Sequence, residues 1–370
     1  MRLAPLSTVL AAAAAFSSFT AQALEIRPET VAKDLQNPWA VAFLPDGQFL
    51  VTERPGRMRV IAADGTLGAP LNGLPTIAAG GQGGLLDVVL DCDFARNRTL
   101  YFCYAEPGLN GSTSTALAKA TLAVNEKQLQ HVQVIFSQKP KKSSNLHFGC
   151  RIVERTDGTL LLTLGERSHF KEEAQNLQSH LGKIVRIHKD GSVPKDNPFV
   201  GRSDALPEIW SWGHRSPQGA ALAPDGTFWM NEHGPRGGDE INRPEPGKNY
   251  GWPVITYGEN YGGGKIGAGI THQDGMEQPV HQWTPSIAVS GMAFITSDRY
   301  PGWQGQMVVG ALKAQRLERI TLNGHTVEKV APLLPTLGQR VRDVRQGPDG
   351  WLYVLTDSSK GQLLRLRTAP

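Results

Sequence analysis

Residues 231–242, NEHGPRGGDEIN, carry three acids, a histidine and an arginine on a segment broken by three glycines and a proline. The segment reads as neither helix nor strand and follows an apolar, strand-like run, GTFWM. A hard cation binds through oxygen, backbone carbonyls included. Gly-Pro turns expose carbonyls, because proline has no N–H and glycine permits unusual dihedrals. Asp239 and Glu240 add carboxylates, and Tyr250 begins a second turn, so the stretch has the chemistry of a calcium loop. It is not an EF-hand, whose D-x-[DN]-x-[DN]-G pattern is absent. The plainer alternative is a solvated acidic turn.

Other candidates lie far apart in the chain. In SSNLHFGCRI, His147 precedes a strand and suits a proton acceptor near neutral pH. In GGQGGLLDVVL, four glycines surround Gln82 and allow close backbone approach to a ligand. In WSWGHRSPQG, His214 and Arg215 follow two tryptophans, a setting for binding a planar anion or quinone. Lys313 sits in GALKAQRL. Arg340 and Arg342, two apart in GQRVRDV, point the same way on a strand and together suit a polyanion. Taken singly, each has an ordinary structural reading: a half-buried histidine, a tight turn, a stacked arginine, an exposed strand face.

A repeated phrase supplies the scaffold. LPDGQFLVTER, RTDGTLLLTLGE, APDGTFWMNEHG and GPDGWLYVLTD each place an Asp-Gly turn before a β-prone run that ends in polar residues, mostly with an acid. Weaker copies stand near Asn97 and Gly302. The six copies lie about 61 residues apart on average, enough for a four-stranded sheet with its loops. Such a sheet cannot cover both its faces alone, and radial stacking closes a ring. The chain reads as all-β, a six-bladed β-propeller of four-stranded antiparallel blades spanning residues 24–370 as one domain. Two β-sandwiches would need a linker that the sequence lacks. Loops from several blades should then gather at one end of the ring.

Residues 1–23 have the form of a secretory signal peptide: Arg2, an Ala-rich apolar run and a small-residue AQA site, with cleavage expected after Ala23. This implies a periplasmic or secreted protein with no membrane span. Without Arg2, 37 basic residues face 34 acidic ones, scattered along the chain. That balance argues against nucleic-acid binding, which wants a concentrated basic face. Three cysteines exclude a disulfide-built scaffold. Cys92 and Cys103 either bridge a hairpin or stay as small buried thiols. The fingerprints of P-loop, α/β-hydrolase, zinc-protease and dinucleotide-binding proteins are missing.

The blocks NPWAVAFLPDG, GQGGLLDVVL, NEHGPRGGDEIN, GKNYGWP, AVSGMAF, GALK and RDVRQGPDGWLYVLTD stand in one order over nearly the whole mature chain. Together they resemble the soluble pyrroloquinoline-quinone-dependent aldose sugar dehydrogenases, related to soluble glucose dehydrogenase. The resemblance implies a six-bladed propeller that oxidises aldoses at C1 to lactones, with pyrroloquinoline quinone (PQQ) and Ca2+ as cofactors. By the same resemblance His147 is the general base, and Gln82, His214, Arg215 and Tyr261 belong to the cofactor and sugar pocket. Lys313, Arg340 and Arg342 pair with the cofactor carboxylates, with Leu312, Ala314 and Val341 beside them. Gly234 and Pro235 supply carbonyls to the calcium that holds the quinone, and Glu240 and Tyr250 ligate a further calcium.

Three positions depart from the family pattern. Leu146 stands where an aspartate before the base would orient the imidazole, Ser216 replaces an asparagine and Cys150 a glycine. The expected partners are a small-molecule aldose and an unnamed electron acceptor, in a monomer or homodimer. Competing readings are a calcium-dependent propeller lactonase, which needs calcium without the three cations, and a non-catalytic sugar- or quinone-binding propeller.

Overall fold

The computed structural model describes residues 24–369; the expected signal peptide lies outside them. The repeated phrase has a local cause. In the turns at Asp46, Asp157, Asp225 and Asp349, the carboxylate accepts the backbone N–H two residues on, at 2.9–3.3 Å. The following glycine takes φ between +78° and +83° in all four. Such an Asx turn reverses the chain without cost to a side chain. Each turn joins the inner strand of a blade to its second strand. The weaker copies at Asn97 and Gly302 occupy the same place in blades 2 and 5.

Six sheets of four strands result. Their inner strands are Pro38–Phe43, Leu85–Leu90, Gly149–Glu154, Pro217–Leu222, Val289–Phe294 and Val341–Gln346, for blades 1 to 6. Each packs on the next, and the sixth returns to the first. The ring is closed by Ile26–Leu35, which pairs antiparallel with Gly361–Thr368 and becomes the outer strand of blade 6. Among the described residues, no helix is long and apolar enough to cross a membrane.

Burial follows from the radial geometry. Near the axis, blades cover one another on both faces, so second strands such as Phe49–Glu53 and Thr159–Leu164 are buried along their whole length. At the rim the blades splay, and Thr326–Leu333 is largely exposed. Four charges on the inner strands form a square, with Arg345 half-buried and the other three buried. Arg151 contacts Asp87 at 3.3 Å and Asp343 at 2.9 Å, while Arg345 contacts the same two carboxylates at 2.5 and 3.0 Å. This square ties blades 2, 3 and 6 together, and breaking one corner would strand a buried charge at a cost of about 3–5 kcal/mol. The Trp39 ring lies 4.2 Å from the Arg151 guanidinium and separates the square from the cavity.

The cysteines correct the hairpin-bridge expectation. Cys103, mid-strand in blade 2, is bonded to Cys150 on the inner strand of blade 3, and Cys92 is free and exposed. Cys92 lies beyond the strand end, on the turn at Asp91–Asp93, whereas Cys103 faces the neighbouring blade. Cys150 has φ +82°, a left-handed conformation, at the position where the family pattern has glycine.

Candidate functional site

Every blade is wound in the same sense, so the starts of the inner strands and the ends of the second strands share one end of the ring. His147, Arg215, Ala288 and Arg340 each stand just before an inner strand. In five blades the second strand ends on or beside an acid: Glu53, Glu106, Glu166, Glu232 and Asp357. In blade 5 Leu312 and Lys313 take that place. Each acid fixes a neighbouring cation, histidine or backbone N–H.

Glu166 brings to His147 the carboxylate that position 146, a leucine, does not supply. His147 Nδ1 lies 2.9 Å from Glu166 Oε2, and the two side chains are 9% and 1% exposed. The Ser168 N–H donates to the same oxygen. An ionised carboxylate only accepts, so Nδ1 carries the proton and Nε2 presents a lone pair. Among the described residues Nε2 has no hydrogen-bond partner. Burial lowers the imidazole pKa below its usual value; Glu166 opposes the shift, and the Arg215 and Arg167 charges add to it. The ring is therefore neutral at pH 7 and able to take a proton.

The segment carrying His147 is clamped from both sides. Gln82 Oε1 accepts the His147 N–H at 2.8 Å, and the Gln82 N–H donates to Asn145 O at 2.8 Å. A Cβ on Gly81 would come within 2.7 Å of that carbonyl, so the glycines let this loop approach the His147 segment rather than merely turn. Arg167 donates from Nε to Leu146 O at 3.0 Å and from Nη2 to Ser144 O, with its guanidinium 3.7 Å from the Phe148 ring. His147 itself sits at φ +48°, held by these contacts.

Next to the His147 segment a cavity of about 380 Å³ opens, lined by Gln82, Phe148, Arg54, Leu312, Arg340 and Arg342 among others. Asp357 approaches Arg342 at 3.1 Å and Arg340 at 3.5 Å. Burial alone would raise the Asp357 pKa; the Arg342 charge, the Asn37 amide and the Arg54 charge outweigh it and bring it to about 2. Three arginines thus face one acid in the lining, which gives the cavity an excess of positive charge. Lys313 and Tyr261 line an adjoining open cleft that shares His233 and Ala288 with this cavity.

The segment 231–242 is more regular than its sequence suggests. Its first two residues end the strand Phe228–Glu232, and its last four form the strand Asp239–Asn242. Asp239 is consumed in shaping the bend: it accepts from Gly234 N–H at 3.0 Å, Ala288 N–H at 2.7 Å and the Ser286 hydroxyl. Glu240 faces a void of about 10 Å³ bounded also by Glu232, Gly234 and Tyr250. Burial, with Glu232 and Asp239 nearby, pushes its carboxyl up to about 8. Asn242 Oδ1 is buried without a partner. Crowded acids, an orphaned oxygen and a void for a single small particle make a fit for a cation.

Several sequence-predicted residues lie elsewhere. His214 is sealed between Glu232, at 3.1 Å from Nδ1, and Ser211, and stacks on Tyr250; it does not line the cavity. Arg215 Nη1 donates to the carbonyls of His233 and Gly234 at 3.1 and 2.9 Å, so it supports the bend from behind. The Tyr250 hydroxyl donates to Arg243 O and accepts the Glu245 N–H, so the side chain is engaged away from the void. Ala314 packs in a hydrophobic cluster, and Val341 is buried with its carbonyl accepting from Ser290. Glu166, Arg167, Arg54 and Asp357 were not singled out from sequence. Glu166 and Asp357 were visible as the acids that close the repeated phrase.

A six-bladed propeller with a buried His–carboxylate pair beside a cationic cavity and an acid-lined void is the frame of a cofactor-dependent enzyme rather than a scaffold. The glucose/sorbosone dehydrogenase family model matches residues 35–365, and the chain belongs to that family. It is 46% identical over 353 residues to the aldose sugar dehydrogenase YliI of Escherichia coli K12, covering 95% of each chain. The solved apo-form of the soluble aldose sugar dehydrogenase from Escherichia coli superposes with a TM-score of 0.90 at 46% identity, over 93% of this chain and all of that one. The PQQ-bound aldose sugar dehydrogenase from Streptomyces coelicolor gives 0.77 at 27% identity, over 94% and 99%.

Proposed function

We propose that the protein oxidises aldose sugars at C1 to lactones, using PQQ and calcium, in the compartment to which the N-terminal signal-like segment directs it. The observation that carries this reading is the His147–Glu166 pair next to Phe148 and Gln82, which line a cavity carrying three arginines and one acid; neither member of the pair is itself in that lining. Arg340 and Arg342 in the cavity and Lys313 at its rim would hold the carboxylates of the quinone. Gly234 and Pro235 carbonyls would hold one calcium, and Glu240 with the Tyr250 carbonyl a second. When bound, the quinone would supply the hydride acceptor for sugar C1 and the calcium a Lewis acid to polarise it.

The chain's own residues do the rest. Nε2 of His147 takes the proton of the anomeric hydroxyl, a contribution of roughly 10²- to 10⁴-fold for a positioned base. Glu166 keeps Nδ1 protonated and steadies the imidazolium as it forms. Gln82 and Arg167 fix the base segment so that Nε2 needs no reorientation during the reaction. Tyr261, on the wall of the adjoining cleft, would cover a bound sugar ring.

The test is reconstitution. Apoprotein supplied with PQQ and calcium should reduce a redox dye with aldoses, and His147→Ala should bind quinone without turnover. Absence of both a bound-quinone spectrum and dye reduction across a panel of aldoses would reject the reading. Lactone hydrolysis without quinone, surviving loss of Lys313, Arg340 and Arg342, would favour a lactonase instead.

A further inference from the structure

Arg54 follows the acid Glu53 at the end of the second strand of blade 1, next to blade 6 in the ring, and lines the same cavity as Arg340 and Arg342. Its backbone is fixed on both sides: the N–H donates to Asn37 O at 3.0 Å and the carbonyl accepts the Leu85 N–H at 3.1 Å. Nη1 donates to Gly81 O at 2.8 Å. Among the described residues Nε and Nη2 have no hydrogen-bond partner and no acid forms an ion pair with this guanidinium. Glu53 does not neutralise it, because that carboxylate is taken by Arg57 and Arg59, each at 2.8 Å, and by the Gln36 N–H at 2.6 Å.

Charge balance gives this free guanidinium a purpose. PQQ is a tricarboxylate, and Lys313, Arg340 and Arg342 would match it only if all three charges were available. Asp357 sits on both arginines and cancels one charge. The set is then one positive charge short, and Arg54, in the same lining, restores it. We propose that Arg54 is a further cofactor-binding residue, pairing with a quinone carboxylate through its unpartnered Nε and Nη2 edge while Nη1 stays on Gly81. This rests on the proposed function. It also couples the cofactor to the base, because the Gly81–Gln82 loop that Arg54 holds is the one that accepts the His147 N–H.

The experiment is calorimetric titration of PQQ, and separately of its trimethyl ester, into calcium-loaded apoprotein. Arg54→Gln should weaken PQQ binding about 10- to 100-fold, the range for a lost charge-assisted contact, and Arg54→Lys should recover part of it. The ester, lacking the carboxylates, should bind wild type and Arg54→Gln alike, and the salt dependence of PQQ binding should be shallower in the variant. PQQ affinity within twofold of wild type would overturn the proposal. So would an equal loss for PQQ and ester with unchanged salt dependence, which would make Arg54 a support for the Gly81 loop only. Failure of the wild type to bind PQQ would instead overturn the functional reading, whatever Arg54 does.

Discussion

Replacing Glu166 with glutamine probes the base without removing it. Glu166 Oε2 accepts from both His147 Nδ1 and the Ser168 N–H, while Oε1 is buried without a partner. In the glutamine variant the amide oxygen must stay on the Ser168 side to accept that N–H, which places the NH2 where Oε1 has no partner. The His147 tautomer is therefore retained, and the loss is that of the charge. A hydrogen bond to a charged group contributes about 1.5–3 kcal/mol, so kcat should fall about 10- to 150-fold. An inverted tautomer would instead cost up to about 10⁴-fold. The Glu166 charge raises the imidazole pKa against burial, so without it the acidic limb of the kcat profile should move to lower pH. The assay is dye-linked aldose oxidation by reconstituted protein across the pH range, with quinone binding checked separately. A kcat within twofold of wild type and an unmoved acidic limb would refute the assignment of Glu166 as the positioning partner.

Other outcomes follow from the same geometry. Cys103→Ser removes a bridge across 47 residues of sequence, worth about 4 kcal/mol by loop entropy, and should lower Tm by several degrees in a thermal melt. The Asp357 carboxyl is held down at about 2, against an ordinary 3.8, so its contribution of about 2 kcal/mol is fully present above pH 3.8 and lost as pH falls through 2. Urea unfolding of Asp357→Asn should therefore show the largest deficit near neutrality, shrinking towards pH 2. For Glu240, whose carboxyl is raised to about 8, the metal-free protein should lose stability as pH rises through that value. Glu240→Gln should abolish that loss and reduce, without abolishing, the rise in Tm on adding calcium.

Local signals carried the fold into the sequence. Each Asp-Gly turn is made by neighbours two residues apart, so Asp46 or Asp225 declares a blade without knowledge of the rest of the chain. The phase of the same repeat also marks the acids at the mouth, and Glu166 is legible once copies ending in Glu53, Glu232 and Asp357 are aligned by eye. What stayed hidden depends on contacts between blades. The Cys103–Cys150 bond joins two blades, and the turn holding Cys92 gives no hint that its thiol points to solvent. The Arg215 side chain turns back to the His233 and Gly234 carbonyls, a direction no local pattern encodes. His214 sits beside Arg215 in sequence and is sealed behind Glu232, a contact across the blade that no local pattern encodes.

Anaerobic mixing of the quinone- and calcium-loaded protein with excess aldose, followed by quinone absorbance, addresses the central claim that His147 and the cationic cavity serve one reaction. The wild type should convert the bound quinone to its reduced form in a single phase, while His147→Ala, loaded to the same stoichiometry, should leave it oxidised. An unchanged quinone spectrum in the wild type with every aldose tried, or reduction in His147→Ala at the wild-type rate, would contradict the account.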